Sequence, residues 1–411
     1  MQRVLTILLR IFGGFELAVA TLFFMTLATW LGTLNQVDEG LFRSQVRYFE
    51  SWFYIERVGP FGFPLPGGAL LMVVLMTNLV VGGILRLRKG ASTIGILITH
   101  VGILFLLSSG VVKYFSSTEG NLLLWPGDEG SHFSSFHFWE VEVVEDLGGG
   151  KQRRFVIPHD DVVACDGEAG RSFKSESWPF TLVLDHFSHN VDVAMARGHG
   201  DAASAGVVIG DLRLVPQDRE LQEELNFAGL RLRMRGQGGS EVGTALLHGL
   251  MDHPHVFEVD GRRFGVRLQR ERELLPFSVR LDEFHHEVYP NTMQAKVFAS
   301  DVTVRAGDEV RTAKIEMNQP LRRDGYILFQ ASYGPEGARP GDRKYSVFQV
   351  VRNPSDQWPL WACIVIGLGL SFHFGSRLVR WMHSERKRNE RAAIAAATAP
   401  ESTQELVEAR S

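Results

Sequence analysis

The chain has 411 residues and a formal net charge of −4, with 22% charged and 45% hydrophobic residues. This acidic balance provides no global basic field and argues against nucleic acid as a partner. The two cysteines, Cys165 and Cys363, belong to no CxxC pair. This excludes the local motif of a thiol oxidoreductase and the CxxCH attachment site of a c-type cytochrome.

The overall composition is that of a soluble protein, but the sequence contains four long apolar blocks, at residues 11–31, 66–85, 92–112 and 358–376. Each is long enough to cross a hydrocarbon core about 30 Å thick at about 1.5 Å per residue, so four transmembrane helices are predicted. The first block follows Arg3 and Arg10 and lacks a small-residue cleavage site. It is also too long for a cleaved signal peptide, so it is predicted to be a signal anchor.

Basic residues predict the orientation of these helices, because loops rich in lysine and arginine stay in the cytoplasm. A short basic loop separates the second and third blocks, and several arginines follow the fourth. The N-terminal residues 1–10, the loop 86–91 and the tail 377–411 are therefore predicted to be cytoplasmic. Residues 32–65 and 113–357 are predicted to be external.

In the first external loop, apolar residues recur at helical spacing: Leu41, Phe42, Val46, Phe49, Trp52 and Phe53. Two interpretations remain open. The segment is either an interfacial helix lying on the outer leaflet or an amphipathic helix packed on the external domain.

His100 is the one ionisable residue in the third apolar block. An ionisable group at membrane depth usually faces a protein interior, a cavity or a cofactor. A neutral imidazole is a common metal and haem-iron ligand, whereas the alternative is a polar histidine that hydrogen-bonds a neighbouring helix. The helix by itself does not separate these two interpretations.

The third block carries small residues on one stripe, at Ser92, Gly95, Thr99, Gly102 and Ser109. Small residues allow close helix contact in lipid, and His100 is predicted to lie at the edge of this seam. His373 in the fourth block lies at a different depth. It is interpreted either as a residue snorkelling to the interface or as a contact on the side where haem enters.

The external segment 113–357 has mostly strand-like alternation and predicts a large β-rich domain. Asp260-Gly261 predicts a hairpin turn, and the small residues near 198–210 predict a seam between two lobes. Most of its histidines, His189 and His285 among them, are interpreted as surface residues. No hydrolase, zinc-protease or nucleotide-binding motif is present in the sequence.

Residues 315–333 read IEMNQPLRRDGYILFQASY. This run, with the upstream LPFSV at 275–279 and with Asp282, Phe284 and Tyr289, resembles the ResB/CcsB family of cytochrome c biogenesis proteins. The order of three helices, a long external domain and a fourth helix is also similar to that family. The resemblance covers nearly the whole chain apart from the tail.

The motif residues also have a local structural interpretation, which we favour over direct ligand contact. Asn318 is predicted to cap a turn at 322–325, Pro320 to restrict φ, and Gly325 to allow a conformation that other residues resist. Tyr326 and Gln330 are predicted to lie on the returning strand.

The resemblance implies a subunit of the machinery that exports haem b across the bacterial inner membrane and attaches it to apocytochrome c. In that family a histidine of the third helix holds haem together with one from a CcsA/ResC-type polytopic partner. His100 occupies the matching helix, which favours haem ligation. Thiol-reducing proteins are implied only indirectly. The chain is expected to be an accessory subunit of a holocytochrome c synthase, with no visible acid, base or nucleophile of its own.

Two alternatives remain at this point. One is a membrane-anchored scaffold whose β-rich domain recruits partners without contacting haem. The other is a small-solute transporter, which is disfavoured because the blocks show no charged intramembrane pair and no inverted repeat.

Overall fold

The computed structural model describes residues 2–90, 92–195, 207–236, 238–251, 253–288, 295–335 and 342–397. The chain divides into two compact units. The helical unit comprises Met1–Thr33, Gln45–Ser116 and Pro354–Ser411, and the β unit comprises Leu34–Ser44 and Ser117–Asn353.

The helices are α1 (Gln2–Phe12), α2 (Phe15–Glu39), α3 (Leu41–Gln45), α4 (Gly68–Asn78), α5 (Ile94–Ser116), α6 (His159–Val163) and α7 (Trp358–Ala397). Short π-helical turns extend α3 over Val46–Glu50 and α4 over Leu79–Leu85. Four segments are long and apolar enough to cross a membrane: Phe15–Glu39, Gly68–Leu85, Ile94–Ser116 and Trp358–Ala395. Three precede most of the β unit and one follows it.

The first apolar block is divided by a break that the sequence analysis does not predict. The chain leaves α1 at Phe12, turns at Gly13-Gly14 and re-enters a helix at Phe15. The buried Asn78 side chain donates hydrogen bonds to the carbonyl oxygens of Phe12 and Gly14, at 2.7 and 2.8 Å. It satisfies backbone acceptors that the interrupted helix leaves without partners.

The last helix continues past residue 376, where the apolar block ends, as far as Ala397. Its extension is rich in alanine, arginine and glutamate, which have high helix propensity. Two ion pairs at helical spacing, Arg386 with Glu390 and Arg388 with Glu385, further stabilise this extension.

The first loop contains a hairpin that the helical interpretation misses. After the π-helical turn ends at Glu50, strands β1 (Phe53–Val58) and β2 (Phe61–Pro66) pair antiparallel. The helical spacing therefore describes only the first part of the loop.

The β unit contains the remaining strands. They are β3 (Thr118–Leu124), β4 (Glu129–Asp146), β5 (Gln152–Ile157), β6 (Arg171–Phe173), β7 (Phe180–Ser188), β8 (Val191–Met195), β9 (Val207–Ile209), β10 (Leu212–Pro216), β11 (Gly229–Gly236), β12 (Glu241–His248), β13 (His255–Val259), β14 (Arg262–Val288), β15 (Ala295–Ala306), β16 (Glu309–Glu316), β17 (Leu321–Arg323), β18 (Tyr326–Gly334) and β19 (Tyr345–Arg352). Asp260 and Gly261, at φ of 52° and 73°, form the turn between β13 and β14, as predicted.

The largest sheet has ten strands in the order β16-β15-β14-β4-β3-β19-β18-β17, with β13 beside β14 and β5 beside β4. A four-stranded sheet, β12-β11-β7-β6, and a three-stranded sheet, β8-β10-β9, complete the unit. The long strands β4 and β14 run side by side through most of it.

Two main hydrophobic cores lie along these two strands. One surrounds Trp139 and Leu268, and the other surrounds Phe133 and Phe277. The predicted division near 198–210 is wrong as a boundary between the lobes, because β4 and β14 contribute to both cores. Residues 198–206 of that segment lie outside the described residues. The cores instead meet where the β4–β14 register shifts, between Arg270 and Arg272.

Candidate functional site

Close helix contact in the helical unit depends on small residues, as the stripe on α5 predicts. Gly95, Gly102 and Ser109 are buried. A Cβ added to Gly95 would lie 2.7 Å from the backbone nitrogen of His373, and one added to Gly102 would lie 2.7 Å from Ile366 Cγ1. These clashes show that α5 and α7 pack nearly backbone to backbone.

His100 faces the end of the second apolar helix rather than α7. Its Nδ1 lies 2.8 Å from the carbonyl oxygen of Gly83. Gly83 belongs to the last turn before Arg86, where helix carbonyls lack partners within the helix. The imidazole therefore supplies a donor to a carbonyl that would otherwise be unsatisfied in an apolar environment.

This contact requires a glycine. A Cβ added to Gly83 would lie 2.8 Å from His100 Nδ1 and 3.1 Å from its Cγ, inside normal contact distance. The π-helical turn Leu79–Leu85 brings the glycine to this position, and such turns often occur at functional sites.

The hydrogen bond to Gly83 determines which nitrogen of His100 is free. A carbonyl oxygen only accepts, so the neutral ring carries its proton on Nδ1 and leaves a lone pair on Nε2. Nε2 makes no hydrogen bond with any residue that the structure describes. A backbone carbonyl on one nitrogen and an open second nitrogen is the usual arrangement of a metal-ligating histidine.

His373 packs on a different face of α5. It lies over Gly95, and its ring centroid is 5.3 Å from that of Phe374. Gly95 and His100 are five positions apart, which places their side-chain directions about 140° apart around the helix. The structure therefore does not bring His100 and His373 to one point. The Nδ1 of His373 is buried and has no hydrogen-bond partner among the described residues.

Sequence reasoning missed Gly83 and Asn78. The sequence did offer a signal for Gly83, the Gly82-Gly83 pair inside an apolar helix. Glycine destabilises a helix interior, so such a pair indicates a close contact that a larger side chain would block. For Asn78 the signal was a lone amide in the second apolar block.

In the β unit, Asn318 and Gly325 occupy two separate turns. Asn318 has φ of 65° and lies in a tight turn closed by mutual backbone hydrogen bonds between Glu316 and Gln319. Asp324 and Gly325, at φ of 50° and 81°, form the next turn, between β17 and β18. The prediction that Asn318 caps a turn at 322–325 is therefore wrong. Pro320 lies between the two turns.

Tyr326 and Gln330 face the interior of the sheet. Tyr326 is 7% exposed, and its ring lies 6.3 Å from that of Phe133. Gln330 accepts a hydrogen bond from Ser300 Oγ at 2.6 Å and donates one to Ser346 Oγ at 2.8 Å. Both serines are fully buried. These contacts are structural, and Tyr289 of the same motif group lies outside the described residues.

One cluster among the described residues has the composition of a metal site, formed by Glu283, His285 and Asp301. His285 Nε2 lies 2.7 Å from Asp301 Oδ2, and its Nδ1 lies 3.8 Å from Glu283 Oε1. The contacts of the imidazole with these two carboxylates account for the cluster without a metal ion.

The sequence model of the ResB-like family matches residues 250–342. This segment contains Asn318, Pro320, Gly325, Tyr326 and Gln330, so the resemblance drawn from these residues is confirmed. No curated protein matches the chain.

Proposed function

We propose that this ResB-like chain holds haem in the membrane through His100 and helps to present it, with a polytopic partner, for attachment to apocytochrome c. The observation that carries the proposal is the Nδ1 contact of His100 with Gly83, which leaves Nε2 open. The family match over residues 250–342 supports a role in cytochrome c biogenesis.

The residues around His100 suit haem as a bound substrate. A neutral imidazole can ligate iron without burying a formal charge. Gly83 orients the ring by accepting its Nδ1 proton, and the missing Cβ leaves room for that orientation. Haem supplies the vinyl groups that the cysteine thiols of apocytochrome c join. This chain's contribution to that reaction is positioning.

The proposed setting is the bacterial inner membrane, with both termini and the 86–91 loop in the cytoplasm and the β unit outside. The four apolar helices and the arginines beside them support this orientation. His373 remains assigned either to the interface or to the side where haem enters. The Nδ1 of His373 is buried and has no hydrogen-bond partner among the described residues, which supports a polar contact with a ligand there.

A second candidate function is a scaffold that recruits assembly partners without binding haem. The contact with Gly83 supports this alternative too, because it accounts for an intramembrane histidine with no ligand. The two functions differ only in what Nε2 contacts.

An absorption spectrum separates them. The full chain, purified with its partner in mild detergent, is expected to show a Soret band that is lost in His100→Ala and restored by added imidazole. His253→Ala, which removes an exposed histidine of the β unit, is the matched control and is expected to leave the band unchanged. Equal spectra for wild type and His100→Ala would establish the scaffold instead.

A further inference from the structure

Large apolar side chains cover the hairpin of β1 and β2 and the residue before it. Those that are more than half exposed are Trp52, Phe53, Ile55, Phe61 and Phe63. A contiguous exposed apolar surface of this kind usually marks contact with a membrane or with another protein. A two-stranded hairpin is also only marginally stable alone in water, so this one requires support from its surroundings.

The π-helical turn after α3 supports one face of the hairpin. The rings of Tyr48 and Tyr54 lie 4.7 Å apart between centroids, and both residues are buried. The Tyr48 hydroxyl donates a hydrogen bond to Glu56 Oε2 at 2.8 Å. Successive side chains of a strand point to opposite faces. Since Tyr54 and Glu56 face the turn, Phe53 and Ile55 point away from it.

The same turn lies against the ends of two membrane helices. A Cβ added to Gly32 of α2 would lie 3.4 Å from Tyr48 Cγ, and one added to Gly68, which begins α4, would lie 2.5 Å from the carbonyl oxygen of Phe49. Gly32 directly follows the first apolar block. Trp30 of α2 is exposed close by, and tryptophan is enriched at the membrane–water boundary. The hairpin is therefore held at the level of the lipid headgroups.

The free edge of β2 is poor in hydrogen-bond donors. Pro64 pairs with Ile55, and Pro66 pairs with Phe53. Arg47 Nη2 donates to the carbonyl oxygen of Ile55 at 2.9 Å from outside the hairpin. These alternate positions therefore direct their backbone groups away from the partner strand. Proline has no N–H there, which disfavours the addition of a peptide strand and avoids an unsatisfied donor next to lipid.

The exposed face also carries a cation near its tip. Arg57 follows Phe53 and Ile55 at the same alternation along β1, and its side chain is exposed. Segments that bind at a membrane surface combine apolar side chains, which enter the boundary of the acyl chains, with basic ones that extend to the phosphates. The hairpin has this composition.

We propose that the β1–β2 hairpin is a membrane-surface anchor whose exposed apolar side chains insert into the headgroup region of the lipid bilayer. Phe53, Ile55 and the rings near the tip enter the boundary of the acyl chains, and Arg57 binds lipid phosphates. Only Gly67 separates β2 from α4, so the anchor restrains the depth and tilt of the second apolar helix. The inference requires no haem and is independent of the proposed function.

The test measures the depth of single labels in the full chain, reconstituted alone into vesicles of phosphatidylcholine and phosphatidylglycerol. Ile55→Cys or Phe61→Cys is introduced into a Cys363→Ala chain and labelled with a fluorophore sensitive to polarity. Cys165 is buried, and the Cys363→Ala parent measures any labelling of it. Ile394→Cys is the matched control, because Ile394 is an exposed isoleucine in the charged extension of α7.

Labels at positions 55 and 61 are expected to emit at shorter wavelength than the label at 394. Lipids that carry a nitroxide near the headgroup should quench them, and iodide on both sides of the vesicle should not. Omitting phosphatidylglycerol should reduce their protection from iodide, and Arg57→Gln should abolish this dependence on anionic lipid.

Two results would overturn the anchor. One is iodide quenching at positions 55 and 61 as strong as at 394, with no quenching by the nitroxide lipids. The other is protection that appears only after the polytopic partner is reconstituted with the chain, which would assign the exposed face to a protein.

Discussion

Gly83→Ala should impair haem binding strongly while lowering the stability of the chain only modestly. The added Cβ would lie 2.8 Å from His100 Nδ1, 3.1 Å from its Cγ and 3.1 Å from Leu79 Cδ1. The imidazole therefore has to rotate or shift, and its hydrogen bond to the Gly83 carbonyl is lost. The perturbation acts on the orientation of His100 without removing the ligand itself.

Two opposing effects determine the free energy of unfolding of Gly83→Ala. Replacing glycine by alanine inside a helix stabilises it by roughly 0.5–1 kcal/mol. Losing the hydrogen bond leaves the Gly83 carbonyl without a partner in an apolar environment, which costs about 1–3 kcal/mol. The net loss of stability should therefore be at most about 2.5 kcal/mol. Haem affinity has no such compensation, because removing the partner that orients a metal-ligating histidine typically costs about 10–100-fold in affinity.

The assay is a haemin titration by Soret absorbance, paired with denaturation of the same detergent-solubilised protein. Gly110→Ala is the matched control, because it lies in α5 with His100 and a Cβ there meets no atom within 4 Å. It should bind haem like wild type and be slightly more stable. Wild-type affinity in Gly83→Ala would refute the assignment of Gly83 as the residue that orients His100.

Three further predictions concern the β unit. Gly325→Ala, at φ of 81°, should destabilise it by about 1–2 kcal/mol in denaturant unfolding, whereas Gly238→Ala, which meets no atom within 4 Å, should have little effect. Gln330→Ala should lower the free energy of unfolding by roughly 1–3 kcal/mol, because it removes two buried hydrogen bonds, one from Ser300 Oγ and one to Ser346 Oγ. A loss no larger than that of the exposed control Gln152→Ala would contradict this. Thermal unfolding should show that the stability falls as the pH drops from about 6.5 to about 4. Burial, followed by the charge of Arg219, lowers the pKa of His189 to about 4 in the folded chain, whereas the unfolded chain takes up this proton near pH 6.5. Protonation therefore favours the unfolded chain over this interval. His189→Gln should flatten that interval, and an unchanged slope would show that the folded pKa of His189 is not lowered.

Local patterns in the sequence predicted a large part of this architecture. Uninterrupted hydropathy over 92–112 identified α5, and the stripe through Gly95 and Gly102 identified its contact surface with α7. Asp260-Gly261 identified a hairpin because both positions tolerate positive φ. In each case the physical cause acts between residues that are close in the chain, so the sequence is sufficient to predict the feature.

Interpretations failed where contacts from distant residues compete with the local pattern. Helical spacing after Leu41 extended the predicted helix to Phe53, which instead begins β1 and pairs with β2. The break at Gly13-Gly14 depends on Asn78, more than sixty positions away. The boundary between the two cores follows a register shift between β4 and β14, and no composition change near 198–210 marks it.

The amino-acid sequence alone established four apolar helices, a β-rich domain and one imidazole at membrane depth, because hydrophobic length and turn chemistry are properties of short segments. Only the tertiary structure decided that Nε2 of His100 is the open nitrogen, since the carbonyl that occupies Nδ1 comes from another helix.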